Sequence, residues 1–349
     1  MDPNAAALFA SLSAAPDSLV LGRELERIRR CIADRAVPGV SALETGQLAS
    51  QLYDAFLVRA AELAREGPPQ LPETAGPYCL AVLGSQGRRE QFLATDQDNA
   101  LILGEGADDE AFAALATRLE RLLAEAGMPP CPKGIMAANP VWRRPLADWF
   151  DVVDAAAARP DEEAVLFISL LADLRPVWGE ASLAAALVGH VRRRAMESSL
   201  LTRGLAREAL RFGPPTLIFG HLPSGLFGLG HGGLDLKAAA VYPLILGVKA
   251  LALEAGIAAP DTLGRLAGLV AAGRLEPELA AALQDGLTRV QSLRLSAQAT
   301  AWGRGQTADN RLVPARLSAQ ALADLDASLR AAGRLSEILK HHFSLHCLT

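Results

Sequence analysis

Apolar residues recur at helical spacing over Ser18 to Asp34, where Leu19, Leu21, Leu25, Ile28 and Ile32 line one side and arginines lie outside it, predicting a helix. Residues 1 to 17 are Ala- and Ser-rich with Pro3 and Pro16, and are expected to be loosely ordered. A second helix is predicted from Leu43 to Arg65, with Leu48, Leu52, Phe56, Leu57 and Leu63 inward and Gly67-Pro68-Pro69 as its stop. The pattern then changes. Cys79 to Leu83 is a short apolar run closed by Gly84, which reads as a buried strand, and Ala100 to Leu103 reads as another. A helix follows from Glu110 to Ala126, a third strand is expected within Lys133 to Ala138, and Asp161 to Leu171 forms a strongly apolar helix.

From Ala181 the helical spacing is unbroken by strand signals. Segments 181–211, 235–255, 261–272, 276–298 and 318–343 have caps and short connections, which predicts an antiparallel bundle. The expected organisation is therefore an N-terminal helical segment (1–70), an α+β domain with a small sheet flanked by helices (71–180) and an all-α domain (181–349), divided near Gly179.

Composition narrows the class. Half of the 349 residues are hydrophobic with few aromatics, and the net charge is −5, so nothing global invites nucleic acid or an anionic membrane. Every apolar segment is interrupted by charge well short of a membrane span, and the N-terminus lacks a basic region before an apolar core. Cys31, Cys79, Cys131 and Cys347 show no C-x-x-C spacing, which suits a reducing compartment and argues against a disulfide framework. The expectation is a cytoplasmic protein with no membrane partner.

The chemistry concentrates between Cys79 and Leu103. Ser85 stands where a helix would begin after the first strand, able to cap it, and the partnerless N–H groups of such a first turn form an anion site. Asp96-Gln97-Asp98 follows. On an extended segment the period of two puts Asp96 and Asp98 on one face. Two like charges side by side resist burial unless a cation joins them, and Mg²⁺, with Mn²⁺ as an alternative, favours such oxygen ligands shared with substrate phosphates. The chemistry implied is nucleotidyl transfer assisted by metal ions.

These residues also carry a resemblance. Gly84-Ser85-Gln86-Gly87-Arg88-Arg89-Glu90-Gln91 with Thr95-Asp96-Gln97-Asp98-Asn99-Ala100 resembles the signature of the putative nucleotidyltransferases of bacterial signal-transduction proteins. That family is related to the nitrogen-regulatory (PII) uridylyltransferase within the DNA polymerase beta-like superfamily. The resemblance continues in Cys131 to Pro140, in Asp173 to Val177 and in His231 to Lys237, spanning most of the chain from Leu43 onward. It implies a polymerase beta-like fold, an NTP substrate, a protein or small-molecule acceptor, and a signalling role. Asp96 and Asp98 would be the catalytic metal ligands, and Gly84, Ser85, Gly87 and Arg88 would bind the nucleotide. The CBS or cyclic-nucleotide-binding modules common in relatives are not read here. A third carboxylate, often carried on the third strand in the superfamily, is replaced by Ile135, Met136 and Ala137.

Several residues have two readings. Arg88 can neutralise leaving-group charge or pair with Glu90 or Glu62; Asp173 and Arg175 can pair locally, or Arg175 can meet phosphate. Trp142-Arg143-Arg144 is a nucleotide contact or the start of an amphipathic helix with its Trp in the core. Lys237, in what relatives use as a substrate-binding domain, can touch a triphosphate as a point charge or pair with Asp235. Lys249 stands where relatives tend to carry Arg. Gly228-Leu229-Gly230-His231-Gly232-Gly233 satisfies the dinucleotide pattern but lacks an immediately preceding strand, and is read as a flexible loop. The alternative to the enzyme is a non-catalytic, nucleotide-binding regulatory or protein-interaction module.

Overall fold

The computed structural model describes residues 3–68, 70–211, 233–312 and 317–345. They form two compact units, one of Met1–Arg35, Glu44–Ala155 and Leu170–Val191, the other of Ala36–Leu43, Ala156–Ser169 and Arg192–Thr349. The fold class is α+β: a small mixed sheet with helices, followed by a mostly helical region.

The sheet belongs to the first unit. Its central strands β1 (Tyr78–Val82) and β2 (Asn99–Leu103) pair antiparallel with Val82 opposite Asn99, and β2 is buried throughout. The outer strands are β3 (Arg143–Pro145), parallel to β2, and β4 (Arg175–Gly179), antiparallel to β1, giving the order β3-β2-β1-β4. The third strand thus lies later than expected. Residues 133–138 instead make turns beside the start of β2, held by Asn99 N donating to Ile135 O at 3.1 Å and by Ala137 N donating to Asn99 Oδ1 at 2.9 Å. With those backbone groups spent on the edge of one residue, the segment has no register for a ladder.

Helices α1 (Pro3–Ser13), α2 (Ser18–Ala33) and α3 (Ala42–Glu66) precede the sheet. The helix over Pro3–Ser13 corrects the expectation of a loose N-terminus: Leu8 and Leu12 are buried, so local Ala/Ser composition is overridden by packing. In α2 Asp17 caps the start by accepting from Val20 N at 2.8 Å, and Leu21, Leu25, Ile28 and Ile32 are fully buried. Tyr53 of α3 donates its hydroxyl to Phe92 O at 3.0 Å, fixing the chain just before the acidic segment.

Along the chain follow α4 (Gly84–Gly87), α5 (Asp109–Glu125), α6 (Leu146–Ala158), α7 (Glu162–Leu171) and α8 (Ala181–Glu197), and the second unit is built on α9 (Ser199–Arg211), α10 (Tyr242–Glu254), α11 (Thr262–Ala271), α12 (Pro277–Gly303) and α13 (Ala319–His342). Every residue of α10 from Pro243 to Leu253 is buried, including Lys249, which marks it as the central helix of this unit. Lys249 Nζ donates to the Ser169 carbonyl at 2.8 Å and hydroxyl at 3.0 Å, so its role there is structural. Two boundaries differ from expectation. The span 181–211 breaks at Ser198, and Leu234–Asp235 pairs antiparallel with Arg311–Leu312 instead of opening a helix. The Gly-rich pattern 228–233 falls almost wholly outside the described residues.

Candidate active site

Strand β1 delivers the chain to a single helical turn, α4 (Gly84–Gly87), whose N-cap residue is Leu83. Gly84 has φ +56°, a conformation that favours glycine, and it turns the chain sharply off the strand. Ser85 is therefore the second residue of the turn and not its cap. Gly87 N donates to Leu83 O and Arg88 N to Gly84 O, both at 3.1 Å, so the amides of Gly84, Ser85 and Gln86 are those without intrahelical acceptors.

Asp96 and Asp98 lie just before β2 and not within it. The approach is extended nonetheless: Leu83 N donates to Asp98 O at 3.3 Å, lengthening the β1–β2 ladder by one step. Gln97 is buried, its amide donating to Met128 O at 2.9 Å. The carboxylates on either side of it come together. One oxygen of Asp96, one of Asp98 and Cys131 Sγ all lie within 4.8 Å of one another. Asp98 Oδ2 is 3.6 Å from the point where a Cβ on Gly84 would sit, so the acid faces the bend. A small cleft lined by Tyr53, Gln86, Asp96, Gln97, Asp98 and Met128 opens here, with room for about one water molecule.

The donor set suits a cation. Two carboxylates share one point, and Gln97 Oε1, buried beside them in the same cleft, has no hydrogen-bond donor. Cys131 was not foreseen. Its thiol is buried and bonded to Asp98, and burial first, then the Asp98 carboxylate, push it up to about 11. The stretch Cys131 to Pro140 stood out in the sequence, but the meeting of a cysteine with acids more than 30 residues earlier had no local signal.

Arg88 is placed elsewhere. It is buried and held by Glu90 Oε2 at 2.8 Å and by a short contact to Asp173, with Glu62 not among its partners. Burial would lower its pKa, but the Asp173 and Glu90 carboxylates outweigh that and raise it, so the guanidinium is committed to an internal ion triad. The expected local pair of Asp173 with Arg175 is absent: Arg175 instead bonds Asp54 at 2.8 Å and the Gln86 carbonyl at 3.2 Å. Gln86 completes this brace by donating to Asp54 at 3.1 Å. Gly87 backs onto Asp173 so closely that a Cβ would lie 1.8 Å from its carbonyl oxygen. The turn is thus clamped from behind by residues of α3 and of the stretch entering β4.

Trp142 takes its core reading, buried with its ring centroid 6.2 Å from that of Trp149. Arg143 is buried and bonds Asp109 and the Ala137 carbonyl. Lys237 lies in the second unit, its Nζ 5.3 Å above the Tyr242 ring. Asp235 does not pair with its ammonium but accepts from the backbone amides of Lys237 and Ala238.

The family described as "Putative nucleotidyltransferase DUF294" matches residues 26–163, and "Putative nucleotidyltransferase substrate binding domain" matches residues 199–343. Together they cover most of the chain. The chain belongs to this nucleotidyltransferase family and carries both of its parts. No individually curated protein matches it. No helix among the described residues is long and apolar enough to cross a membrane.

Proposed function

We propose that the protein is a metal-dependent nucleotidyltransferase that moves a nucleoside monophosphate from an NTP to a hydroxyl of a protein or small-molecule acceptor, with a regulatory role in the cytoplasm. The observation that carries this is the convergence of the Asp96 and Asp98 carboxylates opposite the Gly84 bend. Asp96 and Asp98 would hold the ion, Mg²⁺ or Mn²⁺. When bound, such an ion neutralises phosphate charge and lowers the pKa of the attacking hydroxyl.

The chain's own part is positioning. The first-turn amides of Gly84, Ser85 and Gln86 supply donors for phosphate oxygens, and the Arg88 and Arg175 clamps keep that turn in place. The acceptor oxygen forms a bond to the α-phosphorus, the bond from that phosphorus to the bridging oxygen breaks, and pyrophosphate leaves with the electron pair. The hydroxyl proton passes to solvent. Gly87 and Arg88 support the nucleotide by holding the turn.

The test is transfer of label from α-labelled NTPs in the presence of Mg²⁺ or Mn²⁺ and cell extract. The native chain should label an acceptor, and Asp96→Asn/Asp98→Asn should lower the rate by about a thousandfold or more, the scale of losing a main electrostatic stabiliser. Equal transfer by both proteins would overturn the proposal. A non-catalytic nucleotide-binding module is the second reading. It is favoured by one observation: among the described residues, the third member of the acidic cluster is Cys131 and not a carboxylate. Tight nucleotide binding with no turnover would select it.

A further inference from the structure

Cys131 opens a stretch that the fold holds at many points. Gly134 N donates to Cys131 O at 2.9 Å, Asn139 Nδ2 donates to Gly134 O at 3.0 Å, and Asn99 grips Ile135 and Ala137 from the start of β2. Cys131 is 7 % exposed and not in a disulfide, and its Sγ lies within 4.8 Å of both acidic oxygens. Donors on one ion can stand no farther apart than the sum of their bond lengths, about 2.0–2.2 Å for a carboxylate oxygen and about 2.3 Å for a thiolate on zinc. Three donors 4.8 Å apart lie about 2.8 Å from their common centre, so at that widest spacing each moves inward by roughly half an ångström or slightly more to bind one ion. Gln97 Oε1 is buried without a hydrogen-bond donor and Gln97 lines the cleft with Asp96 and Asp98, so the cleft holds a further acceptor that an ion or the water bound to it would satisfy.

Oxygen-only sites take hard Mg²⁺, whereas a thiolate selects softer ions of the first transition row and their heavier analogues. We infer that Cys131 is the third protein donor at this site, giving two oxygens and one sulfur and a preference for thiophilic divalent ions over Mg²⁺. The inference rests on the reading of Asp96 and Asp98 as ion ligands. On binding, the S–H bond is replaced by a sulfur–metal bond and the proton leaves to solvent.

The test uses the full chain, reduced and free of oxygen, titrated with Cd²⁺ and separately with Co²⁺, following the sulfur-to-metal charge-transfer absorption and the Kd. The native chain should show the band at one equivalent. Cys131→Ser should lose it and weaken Cd²⁺ binding by about tenfold or more while leaving Mg²⁺ affinity within about twofold. Cys31→Ser/Cys347→Ser should keep the band. If Cys131→Ser fails to fold, X-ray absorption at the cadmium edge of the Cys31→Ser/Cys347→Ser chain decides the matter: one sulfur neighbour supports the inference, and an all-oxygen shell overturns it. No band in the native chain, a band surviving in Cys131→Ser, or equal loss of Cd²⁺ and Mg²⁺ affinity would also overturn it. Nucleotide transfer with Mg²⁺ and no band would sink this inference and leave the enzyme standing. A Cys131-dependent band with no transfer under any of these ions would do the reverse.

Discussion

Single atoms decide whether the bend can exist. Gly87 has no room for a side chain, since a Cβ would meet the Asp173 carbonyl oxygen at 1.8 Å, and backbone on both sides cannot yield cheaply. Gly87→Ala is expected to cost about 3 kcal/mol or more in urea denaturation, while Gly106→Ala, with φ +75° and nothing within 4 Å, should cost only about 1 kcal/mol from its backbone conformation. Tyr53 gives a second test at this scale. Burial raises its pKa above the usual value near 10, with Arg29 opposing and Glu26 assisting. The phenol therefore keeps its proton in the folded chain at a pH where the unfolded chain has lost it. Its contribution is full below about pH 10 and declines as the pH rises past that point. Tyr53→Phe should lose about 1 kcal/mol near neutrality, from the bond to Phe92 O, and should show a shallower alkaline decline than the native chain. Tyr78 is raised as well, so the comparison of the two denaturation series isolates Tyr53.

At the scale of elements, the site depends on parts that meet only in the fold. Arg88 and Asp173 are 85 residues apart, and Arg175 reaches Asp54 across 121. Removing the one cation of this triad leaves two buried carboxylates uncompensated, so Arg88→Met is expected to cost about 3–5 kcal/mol, whereas Asp173→Ala leaves the Arg88–Glu90 pair and should cost less, and Arg88→Met/Asp173→Leu less than the sum of its two single changes. Double-mutant denaturation cycles measure the difference. The strands β1 and β2 and the helices α2, α3 and α5 (Asp109–Glu125) were legible because each rests on local periodicity or a local stop signal, and the nearness of the Asp96 and Asp98 carboxylates follows from their spacing of two. In α5 the cap on Asp108 and the buried stripe Phe112, Leu115, Leu119 and Leu123 are written within one segment. The third strand was misplaced because Lys133 to Ala138 is apolar for a different reason, packing its turns against Asn99 and the start of β2. The triad, the Asp54 brace and Cys131 could not be read, since no spacing along the chain encodes which distant charge or thiol will arrive.

At the scale of the whole molecule, the chain joins a unit that presents the acids and the bend to a unit matched by the family's substrate-binding part. Ligand binding then has to register as a change in stability that is localised, because only groups that touch the ligand gain from it. A nucleotide with its metal ion at about 100 times its Kd should stabilise the native chain by about 2.7 kcal/mol. Hydrogen exchange resolves where. The amides of Gly84, Ser85 and Gln86 have no intrahelical acceptor, whereas those of Gly87 to Glu90 are bonded within the turn, so the first three should slow most. Asp96→Asn/Asp98→Asn should abolish the slowing and the thermal shift together. If protection appeared only in the second unit and never over the bend, the phosphates would not be reaching the first-turn amides, and the acid pair would have to be assigned to structure instead of catalysis.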